Sequence, residues 1–324
     1  MTLFDLPRPG ERPHADERPD AAERREPPAA SVASGEVRVA FGLAYDGSGF
    51  HGFAPQPNVH TVGGALQHAL GTIAGVVVEI SCAGRTDTGV HALAQVAHAD
   101  LRGELLARRY GASGNLFEEL PGLARAVDRQ LGPAASCWRA LVVPGGFHAR
   151  HEALARRYRY DLDVAARPDP RLRQFAWRPG RPLDLAAMRL AADMLLGEHD
   201  FAAFCRRPPD RPSGPLLRRV TAAHFQVLAG VLRFEIEAKA FCHQMVRSIV
   251  GALVAIGEGR RHPSDLLALL RSGTRRGAPT LAPASGLCLI AVRYPPALGG
   301  DWGECPASGT PGCRPGVLGG RDGV

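Results

Sequence analysis

No apolar run in the chain approaches the roughly 20 residues that a membrane-spanning helix requires. The N-terminus lacks both a basic patch and an apolar stretch; it opens on Pro, Arg, Glu and Asp, which argues against a signal peptide and for a cytoplasmic protein. No C-x-x-C pair occurs among the seven cysteines, Cys82, Cys137, Cys205, Cys242, Cys288, Cys305 and Cys313. Their number is odd and their spacing wide, so reduced thiols are expected, not a disulfide framework or a zinc ribbon. His148-Ala149-Arg150-His151 lacks a third ligand nearby, which speaks against a metal site.

What is present is ordinary globular material. The chain has 324 residues, 45% hydrophobic and 22% charged, enough for two domains or two fused halves. A formal charge of +7 fits many cytosolic proteins and does not by itself imply nucleic acid. Distribution says more. Arg206-Arg207, Arg211, Arg218-Arg219, Arg260-Arg261 and Arg275-Arg276 fall in or beside Pro- and Gly-rich connections, where a planar fork of donors suits phosphate. Solvated loops would look the same.

Residues 1–34 have no apolar period and read as a disordered leader, and residues 297–324 as a loose tail. Between them lie an N-terminal half, 35–143, and a C-terminal half, 144–296. Val37, Val39, Phe41, Leu43 and Tyr45 alternate as a strand, and Thr61 caps a helix carrying Val62, Leu66, Ala69, Leu70 and Ile73. Val76 to Cys82 reads as a second strand, and a third lies near Gln95 to Leu101. Glu104 to Val143 holds a weaker helix and strand. In the second half Tyr158, Tyr160 and Leu162 share a strand face, Asp184 caps a helix, and Ala229-Gly230 joins two strands. Met245, Ile249, Leu253 and Ile256 mark a helix, Ser264 caps another, and Leu287 to Tyr294 closes the set. Strand pairs without an intervening helix favour an α+β arrangement of two antiparallel or mixed sheets backed by helices.

Gly47-Ser48-Gly49-Phe50-His51-Gly52 matches G-x-G-x-x-G, but Pro55 and Pro57 prevent a helix from opening where a pyrophosphate needs one. No acidic residue between Gly52 and Glu79 is placed to hold a ribose. A nucleotide-dependent oxidoreductase is therefore disfavoured.

The segment Ala83-Gly84-Arg85-Thr86-Asp87-Thr88-Gly89-Val90-His91-Ala92 follows a strand and presents a carboxylate, a guanidinium and two hydroxyls between glycines. Taken alone, Asp87 could simply accept backbone N–H groups in an Asx turn. Tyr158 could be an inward strand aromatic, and Arg247 could pair with Glu258.

The ten-residue string closely resembles the catalytic loop A-G-R-T-D-x-G-V-H-A of the tRNA pseudouridine synthase A family. Further motifs follow in family order. They are Tyr45-Asp46-Gly47 with Gly52-Phe53, Phe147-His148-Ala149-Arg150, Arg156-Arg157-Tyr158-Arg159-Tyr160, Leu196-Gly197-Glu198-His199-Asp200-Phe201, Phe241-Cys242-His243-Gln244-Met245-Val246-Arg247, and Gly286-Leu287. The resemblance implies two ferredoxin-like (RRM-like) halves meeting at a central cleft, a homodimer, and no metal or cofactor. It also implies conversion of uridine to pseudouridine at positions 38, 39 and 40 of the tRNA anticodon stem-loop. Asp87 matches the nucleophile and Arg247 its ion-pair partner, which keeps a partly buried carboxylate ionised. Tyr158 matches the residue that stacks on the flipped uracil and assists removal of the C5 proton, and Arg85 one that helps displace the base. An RNA-binding module with a defunct site remains the rival reading. Departures occur at Phe53-Ala54-Pro55-Gln56, at Asp128 to Gly132 and at His151, in stretches expected to touch RNA or to be structural.

Overall fold

A computed structural model describes residues 35–207, 213–275, 277 and 280–303. The expected leader, and the tail beyond residue 303, lie outside them, as do Arg211, Arg276, Cys305 and Cys313.

The described strands form one mixed sheet where two were expected. They are β1 (Glu36–Tyr45), β2 (Ser81–Cys82), β3 (His91–Arg102), β4 (Ala135–Val142), β5 (Ala155–Asp163), β6 (Gly197–Asp200), β7 (Leu217–Leu228), β8 (Val231–Ala238), β9 (Leu287–Arg293) and β10 (Asp301–Trp302). The main order is β4-β1-β3-β9-β5-β8-β7-β6, with β2 on β3 and β10 on β9. Every pairing is antiparallel but one: β3 runs parallel to β9, with His91 opposite Cys288 and Ala92 opposite Leu289. That short parallel seam joins the two halves, and the Asp87 segment enters it directly.

Among the described residues six α-helices accompany the sheet: α1 (Val62–Ala74), α2 (Gly103–Tyr110), α3 (Pro121–Leu131), α4 (Leu185–Asp193), α5 (Met245–Gly257) and α6 (Pro263–Ser272). Helices α1 and α3 pack together in the first half, and α4 packs on both α5 and α6 in the second. The local signals behave as their chemistry requires. Thr61 Oγ1 accepts the Gly64 N–H, Gly75 ends α1 with φ of 72°, and Asp184 accepts the Ala187 N–H. Helix α5 is buried on almost every face, as its apolar run demands.

Several boundaries differ from the sequence reading. The stretch from Val76 is strand only at Ser81–Cys82. Helix α6 starts two residues earlier than expected: Pro263 occupies its first turn, and His262 and Asp265 form the capping box in place of a Ser264 cap. The tail begins later than residue 297, because β10 pairs with β9 and Trp302 is fully buried beneath the Arg139 guanidinium, 4.4 Å from the ring centre. Arg218 and Arg219 lie at the start of strand β7, beside the Gly214-Pro215 connection.

The largest correction concerns thiols. Cys205 and Cys242 form a disulfide, with Cα atoms 5.8 Å apart. Their separation of 37 residues carries no signal; packing of the 202–204 turn against α5 brings them together. Cys82, Cys137 and Cys288 are buried and lie outside this disulfide. No helix is long and apolar enough to cross a membrane among the described residues.

Candidate active site

The Asp87 loop is braced from below by neutral hydrogen bonds. Gln95, fully buried on β3, donates through Nε2 to Gly84 O (2.7 Å) and to Tyr45 Oη (3.3 Å). Tyr45 Oη in turn shares a 2.8 Å hydrogen bond with Thr86 Oγ1. Burial pushes the Tyr45 phenol well above its ordinary range, so it stays a neutral partner. Within the loop, Val90 N–H donates to Asp87 O (3.1 Å) and closes a turn.

The glycine segment that mimics a nucleotide loop serves this same site. A Cβ on Gly47 would stand 2.1 Å from Val90 O, so only glycine lets the two chains meet. Gly52 has φ of 88°, and the next residue, Phe53, donates its N–H to Thr86 O (3.1 Å). Asp46 contacts His91 Nδ1 at 3.2 Å, and the hydrogen bond with His91 holds its carboxyl down to about 2. The segment is a buttress for the catalytic-type loop.

The second half supplies the charged and aromatic partners. Arg247 sits on the first turns of α5, where Nε donates to Ala282 O (2.8 Å) and fixes the fork. Its Nη1 then reaches Asp87 Oδ2 at 3.4 Å. His243 Nε2 lies 3.2 Å from the other oxygen, Oδ1. Asp87 is thus held at both oxygens by side chains from the other half, and the local Asx-turn reading falls away. Glu258 pairs with Arg260, which disposes of the alternative partner for Arg247. Tyr158, on β5, is buried, with its ring edge-on to Phe241 at 5.2 Å. Burial raises its phenol far above the ordinary range, and the nearby Asp87 carboxylate adds to the rise. Arg85 is exposed on the loop. Asp87, Arg247 and Tyr158 therefore share one place, while Arg85 stands at its rim.

Two residues here had no role assigned from the sequence. His243 was legible only as a motif letter. Arg156, buried on β5, donates to Ala83 O through Nε (3.1 Å) and Nη2 (2.6 Å), to Arg150 O (2.6 Å), and to Lys239 O. It ties the root of the Asp87 loop to the strand bearing Tyr158 and to the segment leading into α5. Arginine carries five donors in a fixed fork, which suits three converging carbonyls. Desolvation lowers its pKa.

A family model described as tRNA pseudouridine synthase matches residues 191–295, the stretch from α4 to β9 that contains Arg247. A tRNA pseudouridine synthase A of Frankia casuarinae is 44% identical over 272 residues, 82% of this chain and 92% of the relative. The chain belongs to the tRNA pseudouridine synthase A family. Relatives of the same name from Leifsonia xyli (42% identical, 80% of this chain and 92% of theirs) and Coxiella burnetii (37%, 80% and 94%) agree. As a member of that family this chain is an enzyme, a pseudouridine synthase, and its reaction is an isomerisation. The rival reading of an oxidoreductase is excluded.

No group of three or more His, Cys, Asp or Glu side chains among the described residues could hold a metal ion.

Proposed function

We propose that this synthase isomerises uridine in the anticodon stem-loop of tRNA, with Asp87 as the nucleophile. One observation carries the reading: the Asp87 carboxylate, on a loop of the first half, is gripped by Arg247 and His243 of the second at 3.4 and 3.2 Å. A carboxylate so held is aimed without being consumed, as covalent catalysis by a reversible adduct requires.

The nucleotide must leave its stack for Asp87 to reach the glycosidic bond. Arg85, exposed at the rim, is suited to displace it, and Tyr158 offers an aromatic face once the uracil enters beside Phe241. A groove lined by Arg219, Lys239 and Arg293, with Glu237 beneath them, supports contact with a phosphate backbone. Each half pairs strands with helices in a way that suits a ferredoxin-like unit, and the halves meet at the site. A homodimer acting in the cytoplasm, with tRNA as its partner and no cofactor, completes the proposal.

The test uses tRNA lacking anticodon-arm pseudouridine. The parent enzyme introduces it; Asp87→Asn abolishes turnover and keeps tRNA affinity within a few-fold. Turnover that survives Asp87→Asn would remove the nucleophile, and tRNA binding lost with that change would make Asp87 structural.

A further inference from the structure

The Arg247 guanidinium reaches Asp87 at the long end of hydrogen-bond range, with Nη1 3.4 Å from Oδ2. At that length a shift of a few tenths of an ångström breaks the contact. The aim of Arg247 therefore depends on whatever fixes the plane of its fork. Its second anchor is the 2.8 Å bond from Nε to Ala282 O, and a planar fork pinned at Nε turns with that carbonyl. Ala282 N–H also donates to Arg247 O at 3.2 Å, so residue 282 is bonded to both the side chain and the backbone of the arginine.

Residues 280–286 form a bracket between α5 and the Asp87 loop. Against the helix, a Cβ on Gly251 would stand 1.8 Å from Thr280 O, so only glycine admits the chain there. Against the loop, a Cβ on Gly89, two residues past Asp87, would stand 3.2 Å from the Ala284 Cβ. The bracket ends in one 3-10 turn, Ala284–Gly286, which leads into β9.

Two side chains from the sheet hold this bracket. His91 Nε2 lies 2.9 Å from Gln174 O and 3.1 Å from Ser285 O; carbonyls only accept, so this nitrogen carries the hydrogen. Tyr160 Oη donates to Pro283 O at 2.8 Å, the carbonyl next to the one that Arg247 uses. The Tyr160 ring is fully buried and edge-on to Trp177, and a Cβ on Gly286 would stand 2.5 Å from it. Neither the ring nor the hydroxyl has room to move without moving the bracket.

We propose that Tyr160 is a positioning residue of this enzyme: by holding Pro283 O it fixes the 280–286 bracket, and the bracket aims Arg247 at Asp87. The inference rests on the reading of Asp87 and Arg247 as the working pair of the site. The two tyrosines of β5 then divide the task. Tyr158 offers its ring to the uracil, and Tyr160 acts only through Arg247.

Tyr160→Phe keeps the ring and removes the donor. In single turnover with tRNA lacking anticodon-arm pseudouridine it should slow the reaction about tenfold, with tRNA affinity unchanged. Arg247→Lys keeps the charge but has no planar fork to aim, so adding Tyr160→Phe to it should slow the reaction no further. A second readout needs no turnover. In protein carrying isotope-labelled arginine, the Nε–H resonance that disappears in Arg247→Lys should exchange with solvent about tenfold faster in Tyr160→Phe. An unaltered rate in Tyr160→Phe would overturn the proposal, and so would unaltered Nε–H exchange. Equal slowing in the parent and in Arg247→Lys would also overturn it, because Tyr160 would then act by another route. If Arg247→Lys turns over at the parent's rate, the reading of the Asp87–Arg247 pair fails instead, whatever Tyr160→Phe does.

Discussion

The two sides of the Asp87 carboxylate are built in opposite ways. On the first half, the loop rests on hydrogen bonds between neutral groups (Gln95 to Gly84, Tyr45 to Thr86, Phe53 N–H to Thr86 O) and on glycines that allow close approach. On the second half, the segment carrying His243 and Arg247 is secured by a disulfide, and it presents charge. Arg156 links the sides by binding a carbonyl on each. The contrast teaches a division of labour. Neutral, buried bonds place the Asp87 loop, and the Arg247 guanidinium and the His243 ring then meet its carboxylate from the other half.

Removing the disulfide should give the largest effect. Closing a loop across a 37-residue separation constrains the unfolded chain by about 4 kcal/mol on the loop-entropy account. The denaturant midpoint should therefore fall when a thiol reductant is added, and should not respond in Cys205→Ala/Cys242→Ala. Non-reducing peptide mapping should recover Cys205 linked to Cys242. An identical midpoint with and without reductant would erase the covalent half of the contrast.

Gly47→Ala attacks the other side. Its methyl cannot coexist with Val90 O, so the loop that ends at Val90 must shift. A displacement of this kind near a reacting group costs about a hundredfold in rate. The expected reading is a fall in kcat with tRNA affinity retained; an unchanged kcat would show that the buttress is only structural.

Thr86→Val is the mildest probe. It keeps the shape of the side chain but removes the hydroxyl that bonds Tyr45 Oη, while Tyr45 keeps its bond from Gln95. A loss of about 1 kcal/mol in thermal stability is expected. A much larger loss would mean that the buried hydrogen-bond chain acts as one unit.

Much of the fold was legible because local chemistry states it. The Thr61 cap and Gly75, the Asp184 cap, the Ala229-Gly230 turn and the apolar stripe of α5 each express a requirement of backbone or burial, and each stands where the residues indicate. Val76–Ile80 misled because an apolar run has no way to state whether a strand partner exists; only Ser81–Cys82 finds one on β3. Trp302 was missed for the converse reason. Its neighbourhood is rich in Gly and Pro, yet the pocket formed with Trp138 and Arg139 buries it.

The sequence by itself determined the family and the residue types gathered around Asp87, because the ordered motifs preserve the glycine-bracketed string that carries it. It also determined the elements whose caps and periods are local. Only the tertiary structure decided who meets whom. Asp87 and Arg247 are 160 residues apart and come together because β3 and β9 pair in parallel at the seam. The same closure brings His243 to the second oxygen, joins Cys205 to Cys242, and turns a false nucleotide motif into the support of the loop. Such contacts depend on packing between distant segments, and no spacing along the chain encodes a distance across a sheet.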